Sequence, residues 1–271
     1  MKKNIKHIFI LASALVFLLP IILTVACSFM TSGELSSMFM LRKIPLSVIP
    51  HKFSLDGYYE LLFTSDMYLG MFWNSVFIAF SIAIGNVIIS VVVGYLLAKI
   101  KFPGRNILLF TYIAAMMMPF QVTILPNYIM VRAMNLYNTN WALILPGMLA
   151  PFGVFLMTQF IRTMPTEMME AAALETKSAL QLLLRVVAPM VCTGMLALFL
   201  LSFAESWNMV EQPLILLKDE WRHPLSLALV TIEKDQLSMA FAGSVLYLLP
   251  MIFLFRIFEE ELVNGLSIVK F

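Results

Sequence analysis

The residues of this chain that could do chemistry are few and scattered. Its three histidines, His7, His51 and His223, stand in three different segments with no second ligand one helical turn away. Its two cysteines, Cys27 and Cys192, fall in strongly apolar stretches and provide neither a disulfide framework nor metal-ligand spacing, so no metal is expected. No G-x-x-x-x-G-K-[ST] stretch is present to cradle a nucleotide phosphate. Long apolar windows carry no Lys, Arg, Asp or Glu near their middles, where ion-coupled carriers often hold one. Catalysis inside the chain and self-powered transport are both disfavoured. One polar segment remains, residues 162–188, with Glu167, Glu170 and Glu175 set around a run of three alanines.

The elements that must carry this segment are membrane spans. With 61% hydrophobic and 13% charged residues and a mean hydropathy of +0.90, the chain has too little polar surface to cover a water-soluble globule. A hydrocarbon core about 30 Å thick needs ~20 apolar helical residues. Six windows of that kind predict spans at approximately 8–30, 70–98, 106–131, 140–161, 186–205 and 237–256. They are continuous apolar runs, unlike the alternating segments of a barrel, so residues 1–271 are expected to form one all-α transmembrane domain. A cleaved leader is the weaker reading of the first window: its apolar run is long, and Thr24 stands where a lipoprotein cleavage site before Cys27 would want an aliphatic residue.

Lysine and arginine set the orientation. With the N-terminus inside, eleven of the 18 basic residues fall in inner segments and seven in outer ones, which predicts cytoplasmic termini. The net charge of +2 implies no nucleic-acid partner. Between the second and third spans, Phe102-Pro103-Gly104-Arg105 predicts a tight cytoplasmic turn. Asn86, Ser90 and Gly94 recur on one face of the second span, where small side chains let another helix approach. Pro119 and Pro126 in the third span, and Pro146 and Pro151 in the fourth, invite kinks. The 31–70 segment is expected to be an irregular outer loop with one short helix.

Residues 162–188 read as two short helices. Pro165 suits a first helical turn, and Glu167 and Glu170 sit near the positive end of the helix dipole. Ser178 followed by Gln181 forms a capping box that opens the second helix, leaving Thr176-Lys177 as the turn. Met168, Ala171, Ala172 and Glu175 can share one side of the first helix. An acidic, alanine-rich helix is unlike the basic, aromatic helices that lie on headgroups, so docking onto a protein is the better account.

At these residues the chain resembles the membrane-spanning subunits of ATP-binding-cassette importers. Their cytoplasmic loop carries E-A-A, a glycine four residues later, and a distant proline. Here Glu170-Ala171-Ala172, Thr176 and Pro189 occupy those points, with Thr176 in place of the glycine. A left-handed turn at Thr176 would cost roughly 1–2 kcal/mol relative to Gly, so the turn is expected to be reshaped here. The likeness is specifically to the second permease of carbohydrate importers related to the maltose system. It extends through Trp73-Asn74-Ser75, the Phe102 to Arg105 turn, Asn138-Thr139-Asn140 before Ala142-Leu143-Ile144-Leu145-Pro146, Ser206-Trp207-Asn208, and Leu262-Val263-Asn264-Gly265-Leu266.

The resemblance implies a type I ABC importer fold in the plasma membrane, in contact with lipid. Its implied partners are a second permease, two nucleotide-binding subunits that hold ATP and Mg, and an extracytoplasmic solute-binding protein. This chain would bind no cofactor itself. Glu167, Glu170, Ala171, Ala172, Glu175, Thr176 and Pro189 would couple to the ATPases. Lys218, Asp219, Glu220, Trp221 and Arg222, in the outer segment 210–236, are candidates for contact with the binding protein. Asn86, Gln121, Asn127, Gln159 and Asn208 are candidates for the solute path. An oligosaccharide is the first expectation for the solute, with a polyol or glycerol phosphate behind it. A secondary carrier is the alternative of a different class.

Overall fold

The computed structural model describes residues 2–40, 50–176, 178–231 and 236–268. Arg42, Lys43, Pro45, Lys177, Lys234 and Lys270 lie outside the described residues. The described residues form helices and connecting turns, with no strand among them. The chain divides into two compact units. One comprises residues 1–72 and 225–251, the other 73–224 and 252–271.

In the first unit, the Lys2–Ser28 helix is followed by Ser32–Met40, Asp56–Tyr59 and a wide π-turn at Glu60–Thr64. The expected irregular loop is therefore more helical than its prolines and glycine suggested. Cys27, Met30 and Leu35 bury against Leu237 and Phe241, and the Ser32 and Ser238 hydroxyls meet at 2.6 Å. Leu61, Tyr68 and Leu225 form a second cluster with Leu229 and Leu246. The Lys2–Ser28 helix leaves Leu11, Leu15, Val16 and Phe17 exposed, a surface that suits hydrocarbon.

The second unit is organised by the Asp66–Lys99 helix, whose 34 residues span about 50 Å at 1.5 Å each. The face bearing Asn86, Ser90 and Gly94 packs against Pro151–Arg162, as the small residues predicted. A Cβ at Gly153 would collide with Asn86 Oδ1 and Ser90 Oγ, and one at Gly94 would come within 3.0 Å of the Thr158 amide. The turn into the next helix is type II, with Pro103 at its second position and Gly104 at φ 86°, ψ −4°, and the Arg105 amide donates to Phe102 O at 3.4 Å.

Pro119 breaks one span more sharply than a kink, whereas the pieces on either side of Pro151 remain a single span, Trp141–Arg162. Arg105–Met116 and Phe120–Ala133 meet at 106° across Pro119. Trp141–Met148 stops before Pro151 opens Pro151–Arg162, and Ala150 is extended between them at ψ 123°. The residue before a proline is sterically pushed out of the helical region, which accounts for this stop. Pro126 and Pro146, by contrast, are carried inside helices. Among the described residues, three helices are long and apolar enough to cross a membrane, or up to five if each bent pair is one span, and Ser13–Ser28 is a shorter apolar helix.

Candidate functional site

Two polar segments of the second unit carry the candidate residues, and each is held differently. In the inner-loop segment, Pro165 stands at the N-cap of the Thr166–Glu175 helix. The helix is pinned to the bundle by apolar burial: Met164 and Met169 are each 7% exposed, within a cluster that includes Val91, Tyr95, Phe160, Leu182, Leu183 and Val187. Ala172 packs against the same cluster. Lys99 Nζ reaches Met164 O at 2.7 Å and satisfies a carbonyl at the exit of the preceding helix.

The opposite side carries Glu167, Met168, Glu170 and Ala171, all exposed. The face expected from spacing is thus corrected at Ala172, which turns to the core with Met169 three residues earlier, while Met168 and Ala171 stay outside. Beyond the turn, Leu180 and Leu184 add exposed apolar surface, 62% and 61% accessible.

The reshaping expected at Thr176 is seen in its backbone. Its backbone is extended, φ −102° and ψ 137°, a region that β-branched residues favour. Its amide and its hydroxyl both donate to Ala172 O, at 3.1 and 2.9 Å. No left-handed residue is needed here, so the absence of glycine costs nothing of the kind anticipated. The Ser178 half of the capping box forms: Gln181 N donates to Ser178 Oγ at 3.2 Å. A π-turn at Leu183–Val187 then leads to Pro189, which lies exposed in Ala188–Met190 just before the chain bends by 79° into Cys192–Trp207. Because Pro189 lacks an N–H and its ring crowds the preceding turn, a widened turn at that point relieves the clash.

The other segment, residues 209–224, is anchored by Leu216 and Leu217, buried in an apolar cluster with Ile78, Val131 and Leu143, and beyond them is shaped by hydrogen bonds. Asn138 adopts φ 61°, a conformation tolerated by Asn far better than by most residues. Its Oδ1 accepts from Lys218 N at 2.8 Å and Asp219 N at 3.1 Å, while its Nδ2 donates to Asp219 Oδ2 at 2.8 Å. Its own backbone amide donates to Leu216 O at 3.0 Å. Asp219 pairs with Arg222 Nε at 3.4 Å, and the Arg222 guanidinium lies 4.3 Å from the Trp221 ring centroid. Asn74 Nδ2 donates to Trp221 O at 2.8 Å. Upstream, Arg132 stacks over Tyr137 at 4.0 Å, bracing the turn that delivers Asn138. Lys218, Glu220 and Trp221 are left exposed. The roles of Asn138 and Asn74 were not read from sequence, although both fall in the segments that carried the family resemblance.

The five candidate path residues occupy different surroundings. Asn86 is 1% exposed. Its Nδ2 donates to Met148 O and Ala150 O, at 3.0 and 3.3 Å, where the broken helix frees carbonyls, and its Oδ1 accepts from Ser202 Oγ at 3.2 Å. This amide works as a splice between helices. Gln121 is exposed and Asn127 half-buried on Phe120–Ala133, Gln159 is half-buried on Pro151–Arg162, and Asn208 is exposed with its Nδ2 on Ala204 O at 2.8 Å. Among the described residues no group of three His, Cys, Asp or Glu could hold a metal ion.

Residues 90–266, which include both segments, match the family model described as binding-protein-dependent transport system inner membrane component. The chain belongs to this family. It is 30% identical over 258 residues to an arabinooligosaccharides transport system permease protein of Halalkalibacterium halodurans, covering 94% of this chain and 91% of that one. It is 25% identical to an sn-glycerol-3-phosphate transport system permease protein of Brucella abortus, covering 97% and 95%. Its fold matches a chain in the crystal structure of a bacterial ABC transporter that imports the acidic polysaccharide alginate, with a TM-score of 0.83 at 18% identity over 95% of both chains. A chain of the same type of transporter, in complex with an alginate pentasaccharide-bound periplasmic protein, matches with a TM-score of 0.60 at 12% identity. The protein is therefore a multi-pass membrane permease subunit of an ABC importer.

Proposed function

We propose that this subunit forms half of an oligosaccharide import pathway and couples it to ATP hydrolysis through the Glu170 helix. The observation that carries this reading is the two-sided loop helix. Met169 and Ala172 lock into the bundle while Glu167, Met168, Glu170 and Ala171 stand free. A helix packed on one side and open on the other passes a push from a docked partner to the spans behind it. The partners in this reading are a second permease, two nucleotide-binding subunits that hold ATP and Mg, and a solute-binding protein. All six windows span the membrane, and both termini are cytoplasmic.

A neutral sugar is supported by the arabinooligosaccharide relative. It is also supported by the candidate path residues, which are amides with no cation among them to neutralise a phosphate. The second reading, a glycerol phosphate, rests on the Brucella relative. Uptake of labelled arabino-oligosaccharide and glycerol 3-phosphate by proteoliposomes of the assembled transporter separates the two. For the coupling role, Glu170→Lys is expected to leave insertion and assembly intact while lowering binding-protein-stimulated ATPase activity and uptake together, by at least about tenfold. Retention of both at wild-type levels would refute the lever.

A further inference from the structure

The 216–223 loop has an exposed apex and a half-buried polar root, and the root is what the family reading leaves unexplained. Trp221 is 59% exposed, so its large amphipathic ring is available at the apex for a partner to cover. Its backbone and side chain are nevertheless fixed. Asn74 holds its carbonyl at 2.8 Å, and Arg222 lies over its ring at 4.3 Å while pairing with Asp219. Asp219 is in turn gripped by Asn138, whose one side chain accepts from two backbone amides and donates to a carboxylate. A chain of contacts therefore runs from Asn138 through Asp219 and Arg222 to the indole. Only an amide serves at the root, because the site presents both donors and an acceptor, and only Asn or Gly sits readily at φ 61°.

We propose that Asn138, supported by Asn74, is a positioning residue for binding-protein docking: it preforms the loop that presents Trp221 to the solute-loaded binding protein. The inference rests on the reading of this chain as a binding-protein-dependent permease whose 218–222 segment meets that partner. A preformed loop spares the complex the ordering entropy of several residues, so its loss appears as weaker binding.

The test titrates proteoliposomes of the assembled transporter with its purified, fluorescently labelled binding protein. Asn138→Gly keeps the backbone conformation and removes the three side-chain hydrogen bonds. It is expected to weaken binding roughly tenfold, the scale of one or two lost net hydrogen bonds. In ATPase assays the defect should lie in KM for the binding protein. Asn138→Asp sets two carboxylates face to face and is expected to weaken binding at least as much. Adding Asp219→Asn restores a hydrogen bond across that pair but turns a donor towards Arg222 Nε, which meets the same atom of Asp219, so affinity should return only in part. Asn74→Ala, which removes one exposed bond, should weaken binding about threefold and serves if Asn138→Gly fails to assemble.

Trp221→Ala separates the levels of the argument. If it weakens binding while Asn138→Gly and Asn74→Ala do not, positioning is wrong and the docking reading stands. If Trp221→Ala binds as wild type, the docking reading itself fails, and the inference falls with it. A defect in maximal rate alone would also overturn the positioning role.

Discussion

Residues 162–191 are held within the second unit by Met164, Met169, Leu182, Leu183 and Val187, all buried in one apolar cluster, whereas residues 218–222, beyond the buried Leu216 and Leu217, are held by Asn138 and Asn74 through side-chain amides. Apolar burial is non-directional and scales with area, so the inner loop is secured as a body and leaves its outer face free to vary. Hydrogen bonds are directional, and each has a defined atom at either end, so the outer loop has one shape set by few residues. The first arrangement suits an element that transmits a push. The second suits one that must present a surface in a fixed form.

The comparison breaks most visibly at Met169. Met169→Asp places a carboxylate in the apolar cluster and is expected to cost roughly 3–5 kcal/mol at the loop. Thermal melting of the detergent-solubilised transporter, with proteolysis mapped across residues 162–191, measures it. If the loop stays protected and the melting point does not move, burial is not what holds this helix.

A smaller effect is expected at Asn138, where Asn138→Ala should destabilise the outer loop by about 2–3 kcal/mol through lost hydrogen bonds and strain at φ 61°. Hydrogen exchange at residues 216–222 should register it, with Asn138→Gly milder by about 1 kcal/mol. Equal losses in the two variants would mean that the left-handed backbone carries no strain.

The smallest effect, and the one most opposed to family expectation, is at Thr176. Because its backbone is extended and its hydroxyl binds Ala172 O, Thr176→Gly should destabilise by less than about 1 kcal/mol and should not stabilise. A gain in melting temperature would show that the turn prefers a left-handed residue after all.

Short-range features were legible because their causes are local. The tight turn at Pro103-Gly104, the Ser178 cap on Gln181 and the irregularity at Pro151, expected as a kink and found as a helix stop, each depend on residues within a few positions of one another. The small-residue face of Asn86, Ser90 and Gly94 was equally readable, since a helix must set residues four apart on one side. Periodicity could not tell which residues of the Thr166–Glu175 helix turn inward. Met168 and Met169 are chemically identical, and only the position of Leu182 and Leu183 decides that Met169 is buried.

The sequence by itself determined that this chain is a helical membrane protein carrying a short acidic, alanine-rich helix, because hydropathy, capping and proline act along the chain. The tertiary structure alone decided that Asn86 splices a broken helix, that Asn138 and Asn74 root the Trp221 loop, and that Thr176 lies extended. An amide side chain carries no mark of its use until the atoms it will bind, 62 residues away for Asn86 and 81 for Asn138, are brought beside it.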